Sequence, residues 1–176
     1  DLLLGAVSAR DDSAYSKLGP VYQQLGLAVS PDDCGLALRG IQTLGVRLDA
    51  LETSTLQIAN WLAKHPLIEK VLHPALPTCP GHEIWKRDFS GSSSVFSFVF
   101  KNYISVAQAE TFINSLEVFR IGMSWGGVHS LAVIYPDLLR PNKDFGGAIV
   151  RLNIGLEQTD DLISDLSQAL QKTTPK

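Results

Sequence analysis

A helical pattern running from Ser30 to Leu62 restricts more than any other feature how this chain can fold. It opens on Ser30-Pro31-Asp32-Asp33: a capping hydroxyl, a proline suited to the first helical position, and two carboxylates at the positive helix end. Leu44, Leu48, Leu51, Thr55, Ile58 and Leu62 then recur at helical spacing, and His65-Pro66 closes the run. Such a pattern is too long for an ordinary helix, and Gly40 and Gly45 lie inside it. One long bent helix or two joined ones are expected. An element of this kind commonly bridges two domains.

The texture differs on its two sides. Ahead of it, Leu2-Leu3-Leu4-Gly5-Ala6-Val7 reads as a buried strand that follows Asp1 with no cap or leader. A domain rarely begins in mid-strand, so this end is expected to be a cut through a larger protein. Asp11 and Asp12 open a short helical stretch that Gly19-Pro20 is expected to interrupt. Beyond Pro66 the pattern becomes α+β. Ile68 to His73 reads as a strand, Pro74 to Pro80 as a loop, and Gly81 to Phe89 as a short helix. Val95 to Phe100 alternates, with Phe96, Phe98 and Phe100 on one face and Val95, Ser97 and Val99 on the other. Ser105 and Gln108 form a capping box for a helix through Leu116. A strand near Val118 to Ile121 leads into the loop Gly122 to Gly127. Ile149 to Ile154 is a further strand, and Thr159-Asp160-Asp161 caps a last helix to about Gln171. This half reads as a small sheet covered by helices.

Charge and composition exclude several classes of function. With 45% hydrophobic and 19% charged residues the chain has the makeup of a globular protein. A net charge of −3 gives no basic field for nucleic acid or anionic lipid. The longest apolar runs fall far short of a membrane span. No basic stretch precedes the first apolar run, so no secretory leader is expected. The two cysteines, Cys34 and Cys79, lie far apart without metal spacing. Free thiols in a reducing cytoplasm are the simplest reading.

Arg151 is the most suggestive single residue. Ala148, Val150, Leu152 and Ile154 share one face of its strand, and Ile149, Arg151 and Asn153 share the other. An arginine in mid-strand is costly to bury unless its guanidinium meets a carboxylate or phosphate. The alternative is a surface-facing or structurally paired arginine on an edge strand. Met123-Ser124-Trp125-Gly126-Gly127 is the second candidate: paired glycines permit a tight turn, and a hydroxyl and an indole presented there would line a pocket. A tryptophan plugging the core beside a turn is the competing reading. Gly91-Ser92-Ser93-Ser94 lacks the lysine or helix start of a phosphate cradle and reads as a polar loop. The four histidines, His65, His73, His82 and His129, show no metal spacing and read as surface or capping residues. Taken alone, these residues give an anion-binding arginine on an α+β domain and no reaction.

Four stretches carry a resemblance: Leu38 to Leu44, Gly81 to Gly91, Ser124 to Gly127, and Ile149-Val150-Arg151-Leu152-Asn153-Ile154-Gly155-Leu156-Glu157. Together they resemble the Cys/Met-metabolism family of pyridoxal-phosphate enzymes, in the family's order and over essentially the whole chain. Trp125 after its serine and the run Trp85-Lys86-Arg87-Asp88-Phe89 resemble the bacterial cystathionine β-lyase branch. Related γ-synthases and γ-lyases usually carry leucine where Trp125 stands. Met123 departs from a usual tyrosine, His129 from a common glutamate, and the segment from Asp32 to Ala37 is atypical.

The resemblance implies the C-terminal part of a fold-type I, aspartate-aminotransferase-like subunit, usually a homotetramer. Residues 1–29 would be the tail end of the large cofactor-binding domain, 30–65 the bridging helix, and 66–176 the small α+β domain. The lysine that carries pyridoxal 5'-phosphate would lie ahead of Asp1, so the chain would hold no catalytic residue and be inactive alone. It would associate with itself or with the missing N-terminal half. In the intact enzyme the implied reaction is β-elimination of cystathionine to homocysteine, pyruvate and ammonia. Arg151 would bind the substrate α-carboxylate, Ser124 would stand beside the catalytic lysine, and Trp125 would line the pocket for the distal part of the substrate.

Overall fold

A computed structural model describes residues 2, 4–136 and 145–173. The chain divides into two compact units, Asp1–Val46 and Arg47–Lys176.

The first unit holds α1 (Asp12–Gln24) and α2 (Pro31–Ile41). Local signals account for both. Asp11 caps α1 through the Ala14 amide at 2.9 Å, and Ser30 caps α2 through the Asp33 amide at 3.0 Å. Pro31 takes the first position of α2, where its missing N–H costs nothing. Two expectations fail here. The described residues from Leu2 to Ala9 form no strand, because an apolar run needs a neighbouring ladder to become one, and the described residues of the unit contain none. Gly19-Pro20 does not interrupt α1; Pro20 sits inside it, at the loss of one ladder hydrogen bond. The long pattern resolves as two joined helices, α2 and α3 (Leu44–Leu62), with Gln42 and Thr43 in the turn between them. The boundary between the units falls inside α3.

The second unit is a sheet with helices on one face. Its strands are β1 (Ile68–Leu72), β2 (Val95–Phe100), β3 (Arg120–Ile121), β4 (Leu131–Tyr135) and β5 (Ile149–Asn153), in the order β1-β2-β5-β4-β3. All neighbours are antiparallel except β3 and β4. Helices α4 (His82–Asp88), α5 (Val106–Asn114) and α6 (Thr159–Thr173) complete the unit. The capping box of Ser105 and Gln108 forms as expected. Strand β4 was not expected, although Leu131-Ala132-Val133-Ile134-Tyr135 is an apolar run. The strand near Val118 shortens to Arg120 and Ile121, because Asp165 claims the amides before it: Glu117, Val118 and Phe119 donate to its carboxylate at 2.8, 2.8 and 3.0 Å.

Alternation sorts the sheet into a core face and a second face. Phe96, Phe98 and Phe100, with Val150, Leu152 and Ala132, pack against Ile58 and Leu62 of α3, Phe112 of α5, and Leu162, Leu166 and Leu170 of α6. The rings of Phe98, Phe100 and Phe112 meet edge to face at 5.2 to 5.8 Å. Arg151 and Asn153 project from the opposite face, where Ser97 and Val95 are their partners on β2.

Candidate active site: Arg151 and its loop

Arg151 stands on β5, the middle strand of the sheet, so the edge-strand alternative does not hold. Its side chain is partly exposed, and among the described residues no carboxylate pairs with it. Instead its Nη2 donates to the carbonyl of Met123 and, at 3.5 Å, to that of Ser124. Carbonyls orient a guanidinium without neutralising it. The arginine therefore keeps its full charge and free N–H groups for an anion.

The loop that meets Arg151, residues 122–130, joins the parallel strands β3 and β4. It is exposed from Met123 to His129, and Trp125 is 67% exposed. An indole this open does not plug the core. The loop is nevertheless tied down at several points. Gly126 adopts φ 78°, a left-handed conformation natural to glycine, and its amide donates to Asn153 Oδ1 at 2.8 Å. Asn153 Nδ2 donates to the carbonyl of His129 at 3.0 Å. Glu157 accepts from the Ser130 amide at 2.9 Å and from its hydroxyl at 2.8 Å. The Leu156 amide donates to the Val128 carbonyl at 2.9 Å. Gly155 is needed for this closure, since a Cβ there would run into the Val128 carbonyl and the Ser130 amide. His129 lies 3.8 Å from Glu157 and is largely exposed.

Of the residues singled out from sequence, the structure brings the Ser124 backbone to Arg151, and Trp125 follows on the same exposed loop. Sequence reading missed the frame made by Asn153, Gly155, Glu157 and Ser130. Its signal was present, because Arg151, Asn153, Gly155 and Glu157 follow one another at every second position along and just past a strand. His73 also departs from the surface role expected of the histidines: it is buried, and burial pushes its imidazole below the ordinary value. The serine loop reads as expected, a polar entry to β2. Ser92 donates to Glu52 through both its amide, at 2.7 Å, and its hydroxyl, at 2.8 Å.

The description of the Cys/Met metabolism PLP-dependent enzymes matches residues 1–171. The chain belongs to this family. It is 45% identical over 148 residues to the cystathionine beta-lyase MetC of Escherichia coli (strain K12), covering 81% of this chain and 38% of that protein. It is 40% identical over 176 residues to the cystathionine beta-lyase of Bordetella avium, covering 98% of this chain and 44% of that one. It is also 39% identical over 178 residues to an L-alanine/L-glutamate racemase of Wolbachia pipientis wMel, covering 98% of this chain and 43% of that protein. A crystal structure of cystathionine gamma synthase from Xanthomonas oryzae pv. oryzae, in complex with aminoacrylate and cysteine, superposes with a TM-score of 0.80. Its sequence identity is 31%, over 94% of this chain and 44% of that one. The fold is therefore that of the C-terminal part of a fold-type I subunit. The chain spans about two fifths of the length of these curated relatives.

Pyridoxal phosphate, the cofactor of the family, requires a lysine amine and a nest of phosphate donors. Among the described residues the strand of Arg151, its two neighbours and the loop supply no such amine. Lys17, Lys64, Lys70, Lys86, Lys101 and Lys172 stand neither on β5, nor on its neighbours β2 and β4, nor on the loop. What this part of the subunit presents is a cation and a polar, aromatic rim. Among the described residues no helix is long and apolar enough to cross a membrane.

Proposed function

We propose that this chain forms the substrate-carboxylate side of the active site of a cystathionine β-lyase. The observation that carries the reading is Arg151: an arginine on the middle strand, oriented by loop carbonyls and paired with no acid among the described residues. A guanidinium so held grips both oxygens of an α-carboxylate and fixes the direction of the substrate Cα bonds. Ser124 and Trp125 stand at the rim, where a hydroxyl serves proton transfer and an indole packs against the distal arm of a thioether amino acid. The whole enzyme would break the Cβ–S bond of cystathionine and yield homocysteine, pyruvate and ammonia. Trp125 and the relatives named cystathionine beta-lyase favour this branch.

The cofactor and its lysine would be held by the remainder of the subunit, with residues 1–29 completing that larger domain, 30–65 bridging and 66–176 forming the small domain. Exposed apolar side chains in the first unit, among them Val7, Leu38 and Ile41, fit burial against that remainder in a homotetramer. Alone, the chain would self-associate. Free Cys34 and Cys79 suit a reducing cytoplasm.

A second reading, another activity of the family, is favoured by the racemase at 39% identity and a cystathionine gamma-lyase of Dictyostelium discoideum at 36%. Products distinguish them: pyruvate marks β-elimination, a four-carbon oxo acid marks γ-elimination, and inversion of alanine without ammonia marks racemisation. The deciding variant is Arg151→Lys in the complete, cofactor-loaded protein. Lysine keeps the charge and loses the fork. The expected result is a loss in kcat/KM equivalent to about 2–4 kcal/mol with cofactor occupancy and Tm unchanged. A destabilised variant with ordinary kinetic constants would remove Arg151 from the site. The chain by itself is expected to release no pyruvate and to form no borohydride-reducible adduct with pyridoxal phosphate.

A further inference from the structure

Asn153 lies two residues beyond Arg151 on the same sheet face, is 1% exposed, and makes three hydrogen bonds. Its Oδ1 accepts from the Gly126 amide at 2.8 Å and from the Ser94 hydroxyl at 3.0 Å, while its Nδ2 donates to the His129 carbonyl at 3.0 Å. A carboxamide satisfies both polarities at once. A carboxylate would set oxygen against the His129 oxygen, and an alkyl group would leave a buried donor and acceptor unpaired.

These bonds do not extend the sheet ladder. They reach out of it and hold the loop at Gly126 and at His129. The same loop, at Met123 and Ser124, presents the carbonyls that take Arg151 Nη2. That nitrogen carries two protons. The Met123 carbonyl takes one, and the Ser124 contact, at 3.5 Å, lies at the outer limit of a hydrogen bond, which leaves the other, with a proton of Nη1 or Nε, to form a parallel pair with a carboxylate.

We propose that Asn153 is a positioning residue, which fixes the loop over β5 and through it the orientation of the Arg151 guanidinium toward an α-carboxylate. This rests on the carboxylate role proposed above. Fixing the loop sets which edge of the guanidinium faces the substrate, and a bidentate grip tolerates little rotation. Glu157 secures the far end of the loop at Ser130, so Asn153 governs the part nearest Arg151.

The test compares Asn153→Leu, similar in size and without polar atoms, with Asn153→Asp, which keeps the acceptor for Gly126 and loses the donor to His129. Both are made in the complete, cofactor-loaded protein. Amide hydrogen exchange at Gly126 is expected to quicken about tenfold in Asn153→Leu and to stay near wild type in Asn153→Asp, with the ladder amides of β2 and β5 unchanged in both. KM for the amino-acid substrate is expected to rise about tenfold in Asn153→Leu and less in Asn153→Asp, with kcat changing less than KM. A merely structural amide would alter Tm and leave this split absent. Unchanged Gly126 exchange in Asn153→Leu, or a loosened loop with unchanged KM, overturns the proposal. If Asn153→Leu does not fold, unchanged KM in Asn153→Asp overturns it. Arg151→Lys run beside them separates the two readings. Unaltered KM in that variant overturns the carboxylate role; raised KM there with unaltered KM in Asn153→Leu overturns the positioning role.

Discussion

Helices α1 and α2 of the first unit each carry a side-chain N-cap, and neither contains a buried residue. Helices α5 and α6 of the second unit bury Phe112, Ile113, Leu162, Leu166 and Leu170 against the sheet. The contrast separates two sources of helical order. Caps and propensity write a helix into the sequence at about 1 kcal/mol per good cap, whereas a packed stripe gains several times that. The first unit has only the former. Its apolar side chains, such as Val7 and Ile41, stand exposed, whereas those of the second unit are packed in a core.

Truncation of the core should break the comparison most sharply. Phe98→Ala removes a fully buried ring that touches Phe100 and Phe112, and is expected to destabilise the second unit by about 3–5 kcal/mol, read from denaturant unfolding. Next comes Asp165→Ala. Three backbone amides and the side chain of Gln168 lose their common acceptor in a buried setting. A loss of about 2–4 kcal/mol is expected, and a change below about 1 kcal/mol would show that water replaces the carboxylate there.

Acid should act on the second unit through His73. Burial holds its folded pKa below the ordinary 6.5, so the unfolded chain takes up the proton first as pH falls. Stability from the neutral ring is present above about 6.5 and is lost as pH drops from there toward the depressed folded value. Tm measured across that window should fall on acidification and fall less in His73→Gln. His65, also lowered by burial, would supply the slope that remains. An identical profile in the variant would clear His73 of the effect.

The first unit should respond only to its caps. Ser30→Ala is expected to reduce helix content over α2, at a cost of about 1 kcal/mol to that helix, visible as faster amide exchange at Asp33. Smallest of all, Leu38→Ala should change the stability of the chain alone by less than about 0.5 kcal/mol, because Leu38 is 68% exposed. In the complete protein the same variant is expected to cost several times more if the remainder of the subunit covers α2. Equal effects in both settings would mean that this face stays open.

Sequence by itself determined whatever depends on near neighbours or on period. The cap at Ser30, the box of Ser105 and Gln108, the two-sided alternation of Val95 to Phe100, and the placing of Arg151 opposite Val150 and Leu152 all follow from local chemistry and geometry. The resemblance then gave Arg151, Ser124 and Trp125 their expected roles. Tertiary structure decided what depends on residues distant along the chain. Leu2 to Val7 reads as apolar enough for a strand, and no ladder stands beside it among the described residues. Asp165, on α6 and more than forty positions further along the chain, shortens β3. His73 is buried because β1 carries it against Phe96, which no spacing between histidines reveals. Asn153 is legible as a strand residue on the face of Arg151, but its three partners come from β2's entry, from a turn glycine and from the residue three positions beyond it. A side chain's period tells which way it points; only the folded chain supplies what it meets there.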